Sequence, residues 1–165
     1  MMKEIFERRS VRKFVAREVE AEKLEAVLRA GMAAPSAGNQ RPWEFYIVRD
    51  REKLEALSTL SRYAGPVAAA PLAIITVCDP EGKRFAEVAA TDMAACTENL
   101  WLGAVSVGLG TVWIGVYPYE ERVTLSNQIL GIPAGKYVFS ILPLGYPAEE
   151  KTAEDRFDPS RIHEL

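Results

Sequence analysis

Leu100 to Tyr117 reads LWLGAVSVGLGTVWIGVY, 18 residues without a charge, close to the length of a membrane span. How this stretch is read decides the fold. Gly103, Gly108, Gly110 and Gly115 interrupt it, and β-branched residues dominate beyond Gly110. A buried helix end, a turn and a buried strand account for that pattern better than one continuous apolar helix. The segment therefore predicts a sheet packed on helices and no membrane partner.

Outward from it, helical and extended patterns alternate. Toward the amino terminus lie a long helix over Phe85–Val107, whose middle (Met93, Ala94, Ala95, Thr97) is small enough for close helix packing, and an uncharged run, Pro71–Cys78, expected as a strand buried on both faces. A helix over Arg51–Leu60, a strand over Glu44–Arg49, a loop at Pro35–Asn39 and an amphipathic helix over Val19–Met32 precede these. Ile5–Arg8 reads as a helical turn. Toward the carboxyl terminus follow a strand at Thr111–Val116, a helix at Tyr119–Leu130, a strand at Tyr137–Leu144 and a charged, extended tail from Pro147. The order predicts an α/β or α+β architecture with a central sheet. Without repeat or linker, residues 1–165 read as a single domain.

Charge narrows the function. Lys and Arg total 20 against 23 Asp and Glu, for a net charge of −3, which argues against nucleic acid as the main partner. It leaves room for a local basic cluster aimed at one small anion. Cys78 and Cys96 form no CxxC pair and lie in apolar stretches, so both read as buried thiols. With His163 they are too few and too scattered for a structural zinc. Five of the first nine residues are charged and the stretch holds no apolar signal region, which makes a cytoplasmic protein the expectation.

The usual catalytic sets are missing. The single histidine, His163, lies in the charged tail, so a Ser-His-Asp arrangement lacks its base. Glu120-Glu121 and Glu149-Glu150 read as a helix start and as solvated charge. Gly108-x-Gly110 followed by Gly115 leads from helix to strand, the reverse of a dinucleotide-binding loop. Two clusters remain. Arg8-Arg9-Ser10-Val11-Arg12-Lys13-Phe14 packs four cations and a hydroxyl into seven residues. It reads either as a solvated basic turn or as a site for a dianionic phosphate; spacing alone favours the solvated turn. Ala34 to Trp43 (APSAGNQRPW) joins a rigid turn to amide side chains and an aromatic, a surface suited to a planar heterocycle or to nothing more than a polar loop.

These two clusters resemble the nitroreductase family of flavin enzymes. Asp92-Met93-Ala94-Ala95 leading to Glu98-Asn99-Leu100, Gly108–Gly115 (GLGTVWIG), and Leu144-Gly145-Tyr146-Pro147 followed by Arg156-Phe157 agree with it in order and spacing. The resemblance spans nearly the whole chain and implies a compact member. Its fold would be α+β, a central mixed, mostly antiparallel sheet flanked by helices, in an intertwined homodimer with FMN at the interface. By the same resemblance, Arg8 and Ser10 hold the phosphate with Arg9 beside them, and Arg156 returns to it from the tail. Arg12 reaches the polar edge of the isoalloxazine. Pro35, Ser36, Ala37 and Asn39 come from the other subunit, and backbone groups of Ile114 and Gly115 meet the ring.

The implied activity is a ping-pong oxidoreduction. NADH or NADPH passes a hydride to the flavin, Arg12 stabilises the charge that develops, and a nitroaromatic, quinone or enone is then reduced on the same face. Other reduced-flavin chemistry (dehalogenation, azoline oxidation, flavin fragmentation), a flavin carrier or sensor, and a non-flavin interaction protein remain alternatives. Arg41 stands where the family has glutamine and Glu154 where it often has a basic residue. Ser61–Ala70 is expected to bring no obvious polar side chain over the ring.

Overall fold

The fold is built outward from Leu72–Cys78, whose seven residues are all buried. The computed structural model describes residues 3–149, 152 and 154–165; Met1, Met2 and Glu150, half of the Glu149-Glu150 pair, lie outside the described residues. In chain order the elements are α1 (Lys3–Glu7), α2 (Ala21–Met32), β1 (Trp43–Val48), α3 (Arg51–Ser58), α4 (Pro66–Ala69), β2 (Leu72–Cys78), α5 (Ala89–Ser106), β3 (Gly110–Thr111), β4 (Ile114–Gly115), α6 (Glu120–Leu130) and β5 (Tyr137–Gly145). β2 pairs with β1 on one side and β5 on the other, and β3 and β4 pair with the far side of β5. Every one of these pairings is antiparallel. The architecture is α+β.

Strand alternation divides the core into two layers. Ala73, Ile75 and Val77 of β2 face Leu54 and Leu57 of α3, Val67 of α4 and Val123 of α6. Leu72 and Ile74 face Val27 of α2 and Cys96, Leu100 and Ala104 of α5. The two helices of the second layer approach through glycine. A Cβ on Gly31 would lie 2.6 Å from Leu100, and one on Gly103 would lie 2.7 Å from Ala30. No helix among the described residues is long and apolar enough to cross a membrane.

Three elements depart from the sequence reading. The strand expected at Thr111–Val116 is interrupted. Thr111 pairs with Leu144 and Ile114 with Ile141, one common register. Continuing that register sets Val112 opposite Pro143, which has no N–H for the ladder. The long helix starts at Ala89 instead of Phe85, behind a 3-10 turn at Ala86–Val88. Gln40 holds both polar backbone groups of Phe85, accepting its N–H and donating to its carbonyl, each at 3.0 Å, and so keeps that residue out of the helix. Val19 lies outside the helix and is buried. Glu20 caps the true start of α2 while its carboxylate accepts from the Tyr146 hydroxyl and from Arg17, both at 2.6 Å.

Residues 8–15 run as a strap along the sheet. The Val11 N–H donates to the Thr111 carbonyl (3.0 Å), the Val15 N–H to Tyr146 (2.9 Å), and the Lys13 carbonyl accepts from Ala148 (2.9 Å). Val11 is buried against Gly110, where a Cβ would stand 2.7 Å from it. By contrast, all described residues from 154 onward are exposed.

Candidate functional site

The strap sets the basic cluster on the body of the protein. A parallel bridge couples Ser10 to Thr111, so the chain that follows reaches Arg12 beside the strand leading to Ile114. Arg12 and Val112–Gly115 line one cleft with Ser61, Arg62, Tyr63, Gly65, Pro66 and Arg122. Its volume of about 420 Å³ is within the range of small-molecule sites. Three guanidiniums and no carboxylate line it. The Arg12 N–H is tied to Glu149 at 2.8 Å, while its Nη1 donates to the Ser10 carbonyl at 3.4 Å.

Gly115 is bare at the cleft, with no atom within 4 Å of where its Cβ would be. Its carbonyl accepts from Arg122 Nη1 at 3.0 Å. A flat group can therefore approach the backbone here without meeting a side chain. Around Gly65, also in the lining, the space is equally open.

Arg8 stands further along, on α5. Its guanidinium lies 4.2 Å from the centroid of the Trp101 ring, and its Nε is 3.6 Å from Glu98 Oε1. The Trp101 indole N–H donates to the Arg9 carbonyl at 3.3 Å. Trp101 thus fixes both arginines, one through its face and one through its edge. Arg9 turns the other way. Its Nε donates to the Thr152 carbonyl at 2.8 Å, and it lines a separate hollow with Glu7, Val105 and Glu149. Arg9 Nη2 is buried without a hydrogen-bond partner among the described residues, a charged donor still open to an anion.

The loop at residues 35–39 is not part of the Arg12 cleft within this chain. It is bolted to the start of α5: the Ala37 N–H donates to Asp92 Oδ1 at 2.9 Å, and Gln40 Nε2 to Asp92 Oδ2 at 2.6 Å. Ser36 accepts from the Arg41 N–H at 3.0 Å. Asn39 and Arg41 both take positive φ (56° and 47°), and Arg41 is exposed. Pro35 and Asn39 are exposed as well. Arg156 is exposed and its ion-pair partner among the described residues is Glu154, at 3.5 Å.

Sequence reasoning passed over Ser61, Arg62 and Tyr63, expecting that segment to bring no polar group, and it left Arg122 unassigned. All four line the cleft. Arg62 stacks on Tyr63 at 4.7 Å and Arg122 on Tyr119 at 4.0 Å. The adjacent Arg-Tyr at 62–63 and the Tyr-x-x-Arg spacing of a helix turn at 119–122 were the available signals. Neither cysteine supplies a nucleophile. Burial pushes the Cys96 thiol up to about 12 and raises that of Cys78 as well, so the thiolate is scarce at neutral pH. Among the described residues no cluster of His, Cys, Asp and Glu could hold a metal ion.

The model of the nitroreductase family matches residues 5–81 and 62–146. A protein of Archaeoglobus fulgidus provisionally named an NADH dehydrogenase/NAD(P)H nitroreductase is 43% identical, over 98% of this chain and 95% of its own. The chain belongs to the nitroreductase family. Its fold agrees with that assignment. The crystal structure of a Clostridium acetobutylicum protein provisionally named an NADH oxidase superposes with a TM-score of 0.94 at 44% identity, covering 98% of each chain. An FMN-dependent nitroreductase of Clostridium difficile gives 0.91 at 33% identity, covering 99% of this chain and 98% of the other. The cleft and the strap therefore belong to a nitroreductase scaffold.

Proposed function

We propose that this nitroreductase-family protein is an FMN-dependent NAD(P)H oxidoreductase that reduces a small electron acceptor such as a nitroaromatic, quinone or enone. Residues 1–165 act as one flavin-binding domain in a homodimer. The observation that carries the reading is the cleft in which Arg12 meets the bare backbone of Ile114–Gly115 with no carboxylate in its lining.

The residues fit the cofactor's chemistry. Arg8, preset on Trp101 with its Nε 3.6 Å from Glu98, holds the phosphate through its remaining N–H groups together with the Ser10 hydroxyl. Arg9 stands beside them in sequence, its Nη2 buried without a hydrogen-bond partner among the described residues. Arg12 lies where a cation stabilises charge on the ring. Ile114 and Gly115 present backbone to the ring. Arg156 completes the phosphate site when the tail docks on the partner, and the partner's copy of Pro35, Ser36, Ala37 and Asn39 closes the other side.

When bound, FMN supplies the hydride chemistry. The chain's part is to position it and to place a fixed cation where negative charge grows. Such a cation is worth about 2.7–4 kcal/mol, so Arg12→Ala slows flavin reduction by NAD(P)H about 100- to 1000-fold. Stopped-flow absorbance of the purified protein measures this. A flavin-free spectrum refutes the cofactor, and an unchanged reduction rate in Arg12→Ala removes that residue from its role. A panel of nitro compounds, quinones and enones, assayed at fixed NADH or NADPH, tests the acceptor class and the two-step cycle.

A further inference from the structure

We propose that Arg62 and Arg122 form an anion-recognition pair at the mouth of the cleft, selecting co-substrates that carry a carboxylate or phosphate beside their planar reacting ring. This rests on the reading of the cleft as the place where co-substrates meet the flavin. The 420 Å³ cleft opens into a second depression of about 680 Å³, and the two share Ser61, Arg62, Tyr63 and Arg122 as common walls. Both arginines thus lie on the route between solvent and the ring.

Three features make them a recognition pair and not a solvated fringe. First, each guanidinium is laid on a tyrosine, Arg62 on Tyr63 and Arg122 on Tyr119. Stacking fixes the plane and, apart from the Arg122 Nη1 that donates to the Gly115 carbonyl, leaves N–H groups for a ligand, which suits contact with a carboxylate or phosphate. Second, neither forms an ion pair within 4.0 Å among the described residues, although Glu120 and Glu121 line the outer depression. Third, the inner lining holds three guanidiniums and no acid in a chain of net charge −3. Arg12 answers charge on the flavin. Two positive charges are left over, and like charges gathered around one cleft repel unless an anion joins them. The same pair steers an anion inward as it approaches.

The anion has two possible sources: the phosphates of the nicotinamide dinucleotide, or an acidic substituent on the electron acceptor. Pairs of probes matched in shape and differing in charge test both. Benzoate and benzamide are titrated into the flavin-loaded protein by calorimetry. 4-Nitrobenzoate and 4-nitrobenzamide are compared as acceptors. NADH is compared with a phosphate-free N-benzyl dihydronicotinamide in single-turnover reduction. The unsubstituted protein is expected to favour the charged member of a pair, and Arg62→Ala or Arg122→Ala to cut that preference about tenfold. Arg12 is present in both variants and cannot account for the change.

A cut confined to the dinucleotide pair identifies its phosphates as the anion, and a cut confined to the acceptor pair identifies an acidic acceptor. Either upholds the proposal. No preference for the charged member in any of the three pairs, or a preference that neither substitution alters in any pair, overturns it. Arg62 is exposed and its loss leaves the core untouched, so that variant stands even if Arg122→Ala disturbs Gly115. A yellow protein without charge preference defeats this inference alone. A colourless protein that still separates benzoate from benzamide defeats the flavin reading instead.

Discussion

Residues 8–15 and 154–165 are alike in composition and opposite in structure. Both are charged, irregular and carry arginines. The first is sewn to the body: its backbone pairs with Thr111, Tyr146 and Ala148, and Val11 is buried. The second is exposed throughout and displays Phe157 and Ile162, at 73% and 60% of full exposure. Charge content does not distinguish them. What does is whether sheet edges within the same chain offer partners for the backbone and a hole for an apolar side chain. The strap finds both. The tail finds neither here, and its two large apolar groups are of a kind that a second copy would cover.

The comparison breaks most sharply if the tail is removed. Burying a phenylalanine and an isoleucine is worth about 1.5–3 kcal/mol each. If the proposed homodimer covers these groups, deleting residues 154–165 weakens its association by at least about two decades, with the circular dichroism of the fold retained. Sedimentation equilibrium of the two forms measures this; equal dissociation constants would show that the tail holds no partner.

The strap has its own test. Val11→Asp buries an unpaired charge against Gly110 and should cost about 3 kcal/mol, a drop in Tm of about 10 °C for a chain this size. A fall of a degree or two in a thermal melt would mean that the strap is not anchored through Val11. Smaller again is the effect of Arg8→Ala. Loss of one charge-assisted contact of about 1.5–3 kcal/mol should weaken FMN roughly 10- to 100-fold and leave riboflavin, which lacks the phosphate, unaffected. Equal losses for the two flavins would move Arg8 away from the anionic end.

The finest test concerns pH. The Tyr146 hydroxyl, assisted by the backbone of the α2 cap and by Arg17, holds the Glu20 carboxyl down at about 2, against an ordinary value of 4.5. A carboxylate lowered on folding contributes stability that is complete above 4.5 and lost as pH falls toward 2. Tyr146 also accepts the Val15 N–H, so this lock helps fasten the strap. Glu20→Gln should be less stable than the unsubstituted protein at neutral pH, with the gap closing between pH 4.5 and 2. Denaturant midpoints measured across that window decide it; a gap constant with pH would assign Glu20 no role as a charge.

Much of the fold was legible because it rests on local pattern. The uncharged run at Pro71–Cys78 announced a strand buried on both sides, observed at Leu72–Cys78, and the glycine-broken stretch from Leu100 announced helix, turn and strand. The interruption at Val112 was not legible, because its cause, Pro143, lies on another strand and acts only once the register is formed. The start of α5 depended in the same way on Gln40, far away in sequence. In the site, resemblance led to Arg12, Ile114 and Gly115, and the structure brings these three to one cleft. It could not lead to Arg62 or Arg122, whose importance comes from the rings beneath them and from sharing walls with Arg12. Nor could it foresee that Arg9 turns from Arg12 toward Thr152.

The cleft has one welded side and one loose rim, and this sets where the molecule can be redesigned. On the sheet, Gly110 and Gly145 mark places where no atom can be added without displacing a neighbour. At Gly65 nothing crowds the backbone, and surface loops accept added residues at a small entropic cost. Insertions grafted there would recut the mouth for bulkier dyes or drugs while the helices beneath keep their spacing, making that rim the natural handle for directed evolution.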